Sequence, residues 1–387
     1  MLTGSHRTPR QDEVVYGRPA ADTVARLADG YGAKRLLIVT TRSLAGERGL
    51  GTRLARTLGP RVAGLFADVS AHSPREDVLA GAREARRLRA DLLVAVGGGS
   101  VIDATKVMQL CLWAGLDEVD ALDAFRLGRP DAPALLPGVR MIAVPTTLSA
   151  AEFTPVAGVT DRARGAKDGY YHPLLVPRAV VLDPAMTRAT PEALFLATGM
   201  KAVDHAVEQL CSLDRAPFGD ALAADGLRSL TMALPQVARD PDDLEARLEC
   251  QIGTWLAISG AGAGRGMGAS HAIGHVLGGS YGVPHGLTSC VTLPAVLRWN
   301  VPANANRQKL ISALMGAGEL SAAEAVEELC QRLSLPTDLA SVGIRAEQLS
   351  GIAERTMHDR GVRANPRPIR AATDVVEILR LARPATA

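Results

Sequence analysis

The sequence lacks the features by which proteins are attracted to nucleic acids or membranes. Its 387 residues carry 43 Lys and Arg against 41 Asp and Glu, and a net charge of +2 creates no strong field around the protein. No stretch approaches the ~18 uninterrupted apolar residues of a membrane-spanning helix. We therefore expect neither nucleic acid nor a membrane as a partner, and small-molecule chemistry becomes the leading expectation.

The sequence also lacks closely spaced cysteines. This spacing argues against a disulfide framework and against a thiolate zinc site, and favours five buried, reduced thiols. The cysteines are Cys111, Cys211, Cys250, Cys290 and Cys330. The opening segment, MLTGSHRTPRQDE, has no apolar core of the kind found in signal peptides, so we expect a cytoplasmic location.

The length and the order of apolar segments indicate two domains. The first part of the chain alternates short, continuous apolar runs with helical patterns, as in a parallel sheet that is covered by helices on both faces. These runs are RLLIVT (35–40), VAGLFADV (62–69), LLVAVG (92–97), MIAVP (141–145) and AVVLDP (179–184). We predict a doubly wound α/β dinucleotide-binding domain over residues 1–184 and an all-helical catalytic domain over residues 185–387.

Three consecutive glycines follow the third of these runs and precede a predicted helix. Gly97, Gly98 and Gly99 let the backbone approach a ligand closely, and the helix that begins near Ser100 offers free amides and a positive dipole end to an anion. This pattern predicts a diphosphate site. The alternative is a tight strand-to-helix turn without a ligand.

Further polar residues are expected at the same edge of the sheet. Asp103 lies on one face of the predicted helix, with Lys106 three residues later, and the next strand ends in Thr146 and Thr147. Because the carboxyl ends of neighbouring parallel strands meet at one edge, these side chains are candidates for cofactor binding.

The segments GGGSVIDATK and PTTLSAAEFT, and Lys167 before VPRAVVLDP, resemble the successive cofactor motifs of iron-containing alcohol dehydrogenases. The resemblance covers nearly the whole chain and implies NAD or NADP as cofactor, with the threonine pair and Lys167 near nicotinamide and ribose. Many members carry an aspartate where this chain has Thr41. Without this carboxylate a 2′-phosphate is not repelled, and Arg42 offers it a partner, so NADP is allowed as well as NAD. The alternative is that Arg42 is only a surface residue.

Four of the eight histidines lie in two short segments of the second domain, GMKAVDHAVE and GASHAIGHVLGGSYGVPHG. His271 and His275 are four residues apart and share one helical face, and a glycine-rich turn can return His285 to them. His205 lies in the earlier segment and on its own would be read as a core residue. Together the four histidines predict a metal or acid–base site.

The histidine segments are similar to the family's metal-site motifs, with one departure. The resemblance makes His205, His271 and His285 the positions of metal ligands and places His275 near the reacting carbonyl. The family's aspartate ligand is replaced here by Lys201. An ammonium repels a cation, so we favour no bound metal. The maleylacetate reductases are the branch of the family in which this position is altered.

Two acidic residues near Lys201 are weighed as substitute ligands. Asp204 precedes His205 by one residue and should point about 100° away around the helix. Glu208 is held as a reserve ligand, although a surface contact with His205 is favoured. The alternative to a functional role for Lys201 is a surface ion pair with Asp204 or Glu208.

These residues together predict an NAD(P)H-dependent reductase of maleylacetate or a similar keto acid, acting by hydride transfer to a ketone. Lys201 would serve as electrophile or carboxylate-binding group, and His275 would be the proton donor, assisted by His205, His271 and His285. Lys201 and a protonatable histidine cluster would supply cations for a carboxylate-bearing substrate. The alternatives are a metal-dependent alcohol dehydrogenase and a lyase or cyclase on the related dehydroquinate synthase fold. A homodimer is expected from the family.

Overall fold

The computed structural model describes residue 6 and residues 8–129, 131–214, 216–260 and 267–383. Most of the first seven residues, which belong to the segment considered for a signal peptide, lie outside the described residues. The chain divides into two compact units. Residues 9–190 form an α/β unit, and residues 191–387 together with residues 1–8 form a helical unit.

The α/β unit contains the predicted parallel sheet. Its elements are β1 (Glu13–Tyr16), α1 (Ala20–Gly30), β2 (Leu36–Val39), α2 (Leu50–Leu58), β3 (Val62–Phe66), α3 (Arg75–Arg87), β4 (Leu92–Gly97), α4 (Gly99–Ala114), β5 (Arg140–Pro145), β6 (Val156–Asp161), β7 (Ala166–Tyr171) and β8 (Ala179–Leu182). In the described residues the strands of the sheet lie in the order β1-β8-β5-β4-β2-β3, and every neighbouring pair is parallel. The doubly wound α/β prediction is confirmed.

The central strands are continuous apolar runs because both faces of the sheet are covered. Leu36 and Ile38 of β2, with Val94 of β4, belong to a core that includes α1 and α2. The alternate residues, such as Leu37 and Leu93, are equally buried and face the other side, where α4 packs against β4 and β5.

Strands β6 and β7 form an antiparallel hairpin that the apolar pattern of the sequence does not predict. Neither strand is a continuous apolar run: β6 alternates exposed and buried residues, and β7 contains Lys167, Asp168 and Gly169. Gly165 takes a positive φ of 60° in the turn between them. A short, half-exposed hairpin carries little of the periodic signal by which buried strands are identified.

A buried arginine anchors this hairpin. The Arg75 side chain is 1% exposed, and its guanidinium contacts Asp123 at 2.7 Å, Asp161 at 3.2 Å and Asp168 at 2.8 Å. Arg164 also pairs with Asp161 and Asp168. The three carboxylates lie close enough together to suggest a cation site, but the guanidinium groups already neutralise them.

The second unit is helical, and its described residues contain no strand, as predicted. Its helices are α5 (Glu192–Cys211), α6 (Pro217–Arg239), α7 (Leu244–Gly260), α8 (Ala269–Tyr281), α9 (His285–Leu314), α10 (Ala322–Arg332), α11 (Leu349–Thr356), α12 (Gly361–Ala364) and α13 (Ala372–Leu381). In the part of the chain that the structure describes, no helix combines the length and the apolar character required to cross a membrane. The five cysteines are buried and form no disulfide with one another.

Helix α5 lies in the interior of the helical unit. It packs against α6, α7 and α9, and most of its residues after Leu194 are buried. Polar side chains on such a helix are removed from water and must therefore find partners within the protein. This requirement determines the arrangement of the site described below.

Replacing Arg75 with leucine should destabilise the protein by about 3 kcal/mol, because three carboxylates lose a buried cation and two of them are largely enclosed. Urea unfolding at neutral pH measures this loss. The matched control is Arg26→Leu, which removes an exposed arginine from its pair with Glu13 and should cost less than about 1 kcal/mol. Equal losses in the two variants would contradict the anchoring role of Arg75.

Candidate functional site

The glycine turn at the end of β4 is built for close approach. Gly97 ends β4, Gly98 precedes the first turn of α4, and Gly99 begins the helix. A Cβ atom at Gly98 would lie 3.0 Å from the Thr147 side chain, and one at Gly99 would lie 3.1 Å from Ser149. The loop after β5 therefore packs directly on the turn, as expected for neighbouring strand ends.

The two threonines at the end of β5 differ in their partners. The Thr146 amide donates to the Gly97 carbonyl at 3.0 Å, and its own carbonyl accepts from the Thr190 hydroxyl at 2.7 Å. The Thr147 hydroxyl is buried and has no hydrogen-bond partner among the described residues. A polar atom of this kind, placed against a glycine turn at a helix N-terminus, fits the phosphate or ribose of a dinucleotide.

Asp103 and Lys106 link α4 to the segments that follow β5. Lys106 is fully buried and donates from Nζ to the carbonyls of Ala151 at 2.5 Å and Val156 at 2.7 Å. Asp103 accepts from the Gly158 amide at 3.1 Å and lies 3.5 Å from Lys106. The predicted common face is present, and both contacts fix the loop and the hairpin.

The remaining predicted cofactor residues also occupy defined places. Lys167 lies in β7, and its side chain crosses Gly158 of the paired strand so closely that a side chain at position 158 would collide with it. The Ser100 hydroxyl accepts from the His72 amide at 3.1 Å, and the Ser100 carbonyl accepts from Ser73 at 2.7 Å. Ser100 thus holds the loop between β3 and α3.

At the outer part of the same sheet edge, Arg42 pairs with an acid that the sequence interpretation did not consider. Thr41 and Arg42 follow β2, and Asp68 follows the neighbouring β3. Arg42 donates from Nε to Asp68 at 2.7 Å, and both side chains are largely exposed. The Thr41 hydroxyl lies 2.9 Å from that of Ser43. A carboxylate is therefore present at this edge, although not at position 41.

In the helical unit the four predicted histidines form a row. The rings of His205 and His271 stack with centroids 4.9 Å apart, those of His271 and His275 meet edge to face at 6.4 Å, and those of His275 and His285 are parallel at 6.2 Å. The spacing on α8 brings the middle pair together. The turn before α9 returns His285, as predicted.

The row runs from the interior to the surface, and the burial of an imidazole ring disfavours its charged form. His205 and His271 are buried, whereas the His275 side chain is 54% exposed. Burial, reinforced by neighbouring positive groups, lowers the pKa of His205 far below its ordinary value and lowers the pKa of His271 to about 3. Both are neutral near pH 7. The expectation that the whole cluster supplies positive charge is therefore wrong for these two.

Glu208 caps helix α8 from a neighbouring helix. Gly268 precedes α8 and has no side chain to bond the free amides, so the Glu208 carboxyl accepts from the amides of Gly268 at 2.7 Å and Ser270 at 2.8 Å. The same carboxyl lies 2.7 Å from His271 Nδ1. The prediction of a surface contact for Glu208 is wrong, because α8 covers this part of α5.

Burial, and next the charge of Asp204, raise the pKa of Glu208 to about 8. Asp204 itself has the opposite net shift. Burial works to raise the pKa of Asp204, but His271, Lys201 and a hydrogen bond from Ser289 outweigh it and lower the pKa. Asp204 is therefore the ionised carboxylate of the two near neutral pH.

Lys201 and Asp204 form an ion pair inside the protein. Lys201 Nζ lies 3.4 Å from Asp204 Oδ2, and both side chains are almost completely buried. The same oxygen accepts from the hydroxyls of Ser289 at 2.5 Å and Ser270 at 3.1 Å. The ammonium also lies beside Gly274 of α8, between the turns that carry His271 and His275.

The expected rotation of Asp204 by about 100° from His205 does not take its carboxylate away from His271. Its Oδ2 lies 3.3 Å from His271 Nδ1. A rotation of 100° around an exposed helix would lead to solvent, but α5 is enclosed, and this direction faces α8 and α9 instead. The Lys201–Asp204 pair that was considered as a surface contact does form, in the interior.

The residues do not fit an iron site of the family's kind. An ammonium stands at the position of one ligand, and the nitrogens of His205, His271 and His285 do not gather within 4.8 Å of one another among the described residues. Asp204, Glu208 and His271 do lie that close together. However, the carboxyl of Glu208 caps α8, and His271 Nδ1 bonds to it. The donor set is therefore that of an internal hydrogen-bond network.

Both units of the chain match models of one protein family. The model described as iron-containing alcohol dehydrogenase matches residues 11–184, and the model described as the C-terminal part of the Fe-containing alcohol dehydrogenase family matches residues 195–383. A maleylacetate reductase of Burkholderia cepacia is 31% identical, with 96% of this chain and 95% of that protein covered. The dehydrogenase ALT3 of Alternaria alternata is 33% identical, with 91% and 100% covered.

A solved structure has the same fold. The maleylacetate reductase of Rhizobium sp. strain MTP-10005 is similar with a TM-score of 0.82 and 30% identity, and the match covers 99% of this chain and 98% of that one. Relatives with different names thus have nearly equal identity to this chain. Identity alone therefore does not select a substrate.

Replacing Glu208 with glutamine should destabilise the protein by about 1–3 kcal/mol at pH 5, because both carboxyl oxygens accept from backbone amides, and the amide nitrogen of glutamine would face one of these donors. The difference in unfolding free energy between the wild type and the variant should narrow as pH rises to 8. The Glu208 carboxyl has its ordinary pKa of 4.5 in the unfolded chain and a pKa of about 8 in the folded protein. Between these pH values the folded wild type keeps a proton that its unfolded chain releases, so rising pH lowers its free energy of unfolding. Glutamine does not titrate, so the variant does not have this loss.

Urea unfolding at several pH values between 5 and 8 measures this effect. The control is Glu324→Gln at the exposed capping box of α10, where hydrogen bonds from Ser321 lower the pKa of the carboxyl. Glu324 is ionised in both states throughout this range, so its gap should stay constant. A constant gap for the Glu208 variant as well would show that Glu208 is not protonated in the folded protein.

Proposed function

The chain belongs to the iron-containing alcohol dehydrogenase family and is an NAD(P)H-dependent oxidoreductase, and from this premise we propose that it reduces maleylacetate or a similar small keto acid without a metal ion. A redox reaction is favoured over that of a lyase or cyclase, since relatives of this chain are named as reductases and dehydrogenases. The cofactor is a nicotinamide dinucleotide.

One observation carries the proposal: a buried ammonium, Lys201, stands where the sequence resemblance puts an anionic metal ligand. Its charge is balanced by Asp204 at 3.4 Å, so the site holds a cation that belongs to the protein. A metal ion added beside it would face that ammonium at short range in a medium of low polarity. The protein's own charge then takes the electrostatic role of the ion.

The reaction assigns a task to each group. The bound nicotinamide supplies the hydride when it is present. As hydride reaches a ketone, or the conjugated double bond of an unsaturated keto acid, negative charge develops on the carbonyl oxygen, and Lys201 stabilises that charge. A proton must then be delivered, and exposed His275 is the donor, because imidazole exchanges protons readily near neutral pH.

The proposed substrate bears carboxylates for an electrostatic reason. The Lys201 ammonium is paired with Asp204, and a substrate carboxylate would bind it as a second, charged acceptor, which a neutral carbonyl compound does not offer. The names of several relatives agree with this inference, since they are maleylacetate reductases at about 30% identity over nearly their whole length. Lys201 also permits direct binding of a carboxylate as a point charge.

The discriminating experiment measures oxidation of NADH and NADPH with maleylacetate and with simple aldehydes, each with and without a chelator. We expect chelator-insensitive turnover of the keto acid, one cofactor oxidised for each product formed, and no stoichiometric iron or zinc in the purified protein. Chelator-sensitive turnover of neutral aldehydes would establish the metal-dependent alternative. Product formation without net cofactor oxidation would establish a lyase or cyclase.

Replacing Lys201 with methionine should lower kcat/KM for the keto acid about 10²–10³-fold, the usual cost of removing one group that stabilises an oxyanion. Steady-state kinetics measures this loss. Lys309→Met, which alters an exposed lysine on α9, is the control and should leave the kinetics unchanged.

The Lys201→Met variant leaves the buried Asp204 carboxylate without its cation, which threatens the fold. The double variant Lys201→Met with Asp204→Asn removes both charges and tests whether activity is lost while the fold is kept. Lys201→Asp should in addition gain iron or zinc, measured by elemental analysis after incubation. Full activity in a folded Lys201→Met protein would rule out the assigned electrophile.

The choice between NAD and NADP is proposed to depend on Arg42 and Asp68. Their pair is exposed at the ends of adjacent strands β2 and β3, on the side of β4 away from β5. A 2′-phosphate competes with Asp68 for the guanidinium of Arg42, whereas a ribose hydroxyl can use the carboxylate. We therefore propose that both cofactors are accepted and that this pair sets their ratio.

Asp68→Asn should raise kcat/KM for NADPH relative to NADH several-fold, because the competing charge is removed, and Arg42→Ala should lower the same ratio. Initial rates with each cofactor at saturating keto acid test both. The control is Asp338→Asn, a surface aspartate of the helical unit. An unchanged ratio in both variants would show that the adenosine ribose lies elsewhere.

A cytoplasmic location and a homodimer remain proposals, based on the composition and on the family resemblance. Sedimentation of the purified protein at micromolar concentration tests the dimer, and a single species of 40.6 kDa would contradict it.

A further inference from the structure

An aspartate far along the chain contacts the most exposed histidine of α8. His275 Nδ1 lies 2.8 Å from Asp359 Oδ2, although 84 residues separate them. Asp359 follows α11 and is about one-quarter exposed, whereas His275 is more than half exposed. One ring nitrogen is thus engaged from the protein side, which leaves Nε2 as the nitrogen available to a ligand.

The Asp359 carboxylate is held in place by its own turn. Its Oδ1 accepts from the Gly361 amide at 2.8 Å, and its backbone amide donates to the Thr356 carbonyl at 2.9 Å. Gly361 sits against the start of α8, where a Cβ atom would lie 2.6 Å from the Gly268 carbonyl. The carboxylate is therefore positioned relative to the same helix that carries His275.

Asp359 is suited to accept a hydrogen bond from a neutral imidazole. Partial burial works to raise the pKa of Asp359, but the hydrogen bond and charge of His275 outweigh it, so the net pKa lies below the ordinary value. An ionised carboxylate has only acceptors. The proton of the neutral ring then resides on Nδ1, and Nε2 carries the lone pair.

We propose that Asp359 is a positioning residue that fixes the Nδ1–H tautomer and the orientation of His275, so that Nε2 is the atom that exchanges a proton with the substrate. This inference rests on the proposed reductase function. In the reduction, imidazolium releases its Nε2 proton to the alkoxide or to the carbon of the enolate. It returns to the neutral Nδ1–H form, and water restores the proton.

The competing explanation is that Asp359 only fastens the turn between α11 and α12 to α8. In that case its hydrogen bond to His275 is incidental, and loss of the carboxylate acts through stability alone. The two explanations differ in whether the effect of Asp359 depends on the presence of His275.

The first test compares kinetics in two backgrounds. Asp359→Asn should lower kcat/KM for the keto acid about 10–100-fold, since Gly361 keeps the amide oxygen and turns the amide nitrogen toward His275. In His275→Gln protein the same change should alter kcat/KM less than about twofold. Asp359→Glu should recover part of the activity. An equal fall in both backgrounds would overturn the proposal in favour of the fastening role.

The second test needs no turnover and separates failure of this inference from failure of the proposed function. NMR of ¹⁵N-histidine-labelled protein, with the His275 signals identified by their loss in His275→Gln, reports which ring nitrogen carries the proton. We expect Nδ1–H in the wild type and Nε2–H in Asp359→Asn, with Asp338→Asn as the unaffected control. An unchanged tautomer in the Asp359 variant would overturn the proposal, whatever the substrate.

Discussion

The ion pair between Lys201 and Asp204 is the interaction on which the protonation of the helical site depends. Two charges this deeply buried persist only because they lie 3.4 Å apart and because hydroxyls of Ser270 and Ser289 bond the carboxylate. With Asp204 ionised, a second charge on nearby Glu208 is disfavoured. The buried imidazoles likewise remain neutral beside the ammonium. Burial is the largest cause of these shifts, and the charges of the pair act in addition to it.

Much of the architecture could be predicted from local sequence. The parallel sheet follows from continuous apolar runs, the strand-to-helix turn after β4 from three glycines before a helix, and the row of imidazoles from the spacing of His271, His275 and His285. In each case the deciding information lies within about fifteen residues of chain. Helical period, strand burial and glycine geometry operate over that range.

The partners of these groups could not be predicted in the same way. Glu208 reaches the start of α8 across 60 residues, Asp204 reaches Ser289 across 85, and Asp359 reaches His275 across 84. Such contacts depend on how the helices pack, which no short pattern in the sequence encodes. The environment of Asp204 could not be predicted for the same reason. Its direction would lead to water on an exposed helix, but on the buried helix α5 it leads to other side chains.

The two ends of the dinucleotide edge have unequal freedom to change during evolution. Near the glycine turn, Lys106 is enclosed and donates to two carbonyls, so nearly any substitution of Lys106 would disturb the segment that follows Thr146 and Thr147. At the other end, the exposed side chains of Arg42 and Asp68 form an ion pair with each other. With the cofactor assignment proposed above, a few surface replacements in descendants of this protein would change the coenzyme preference, whereas the enclosed glycine turn would be inherited unaltered.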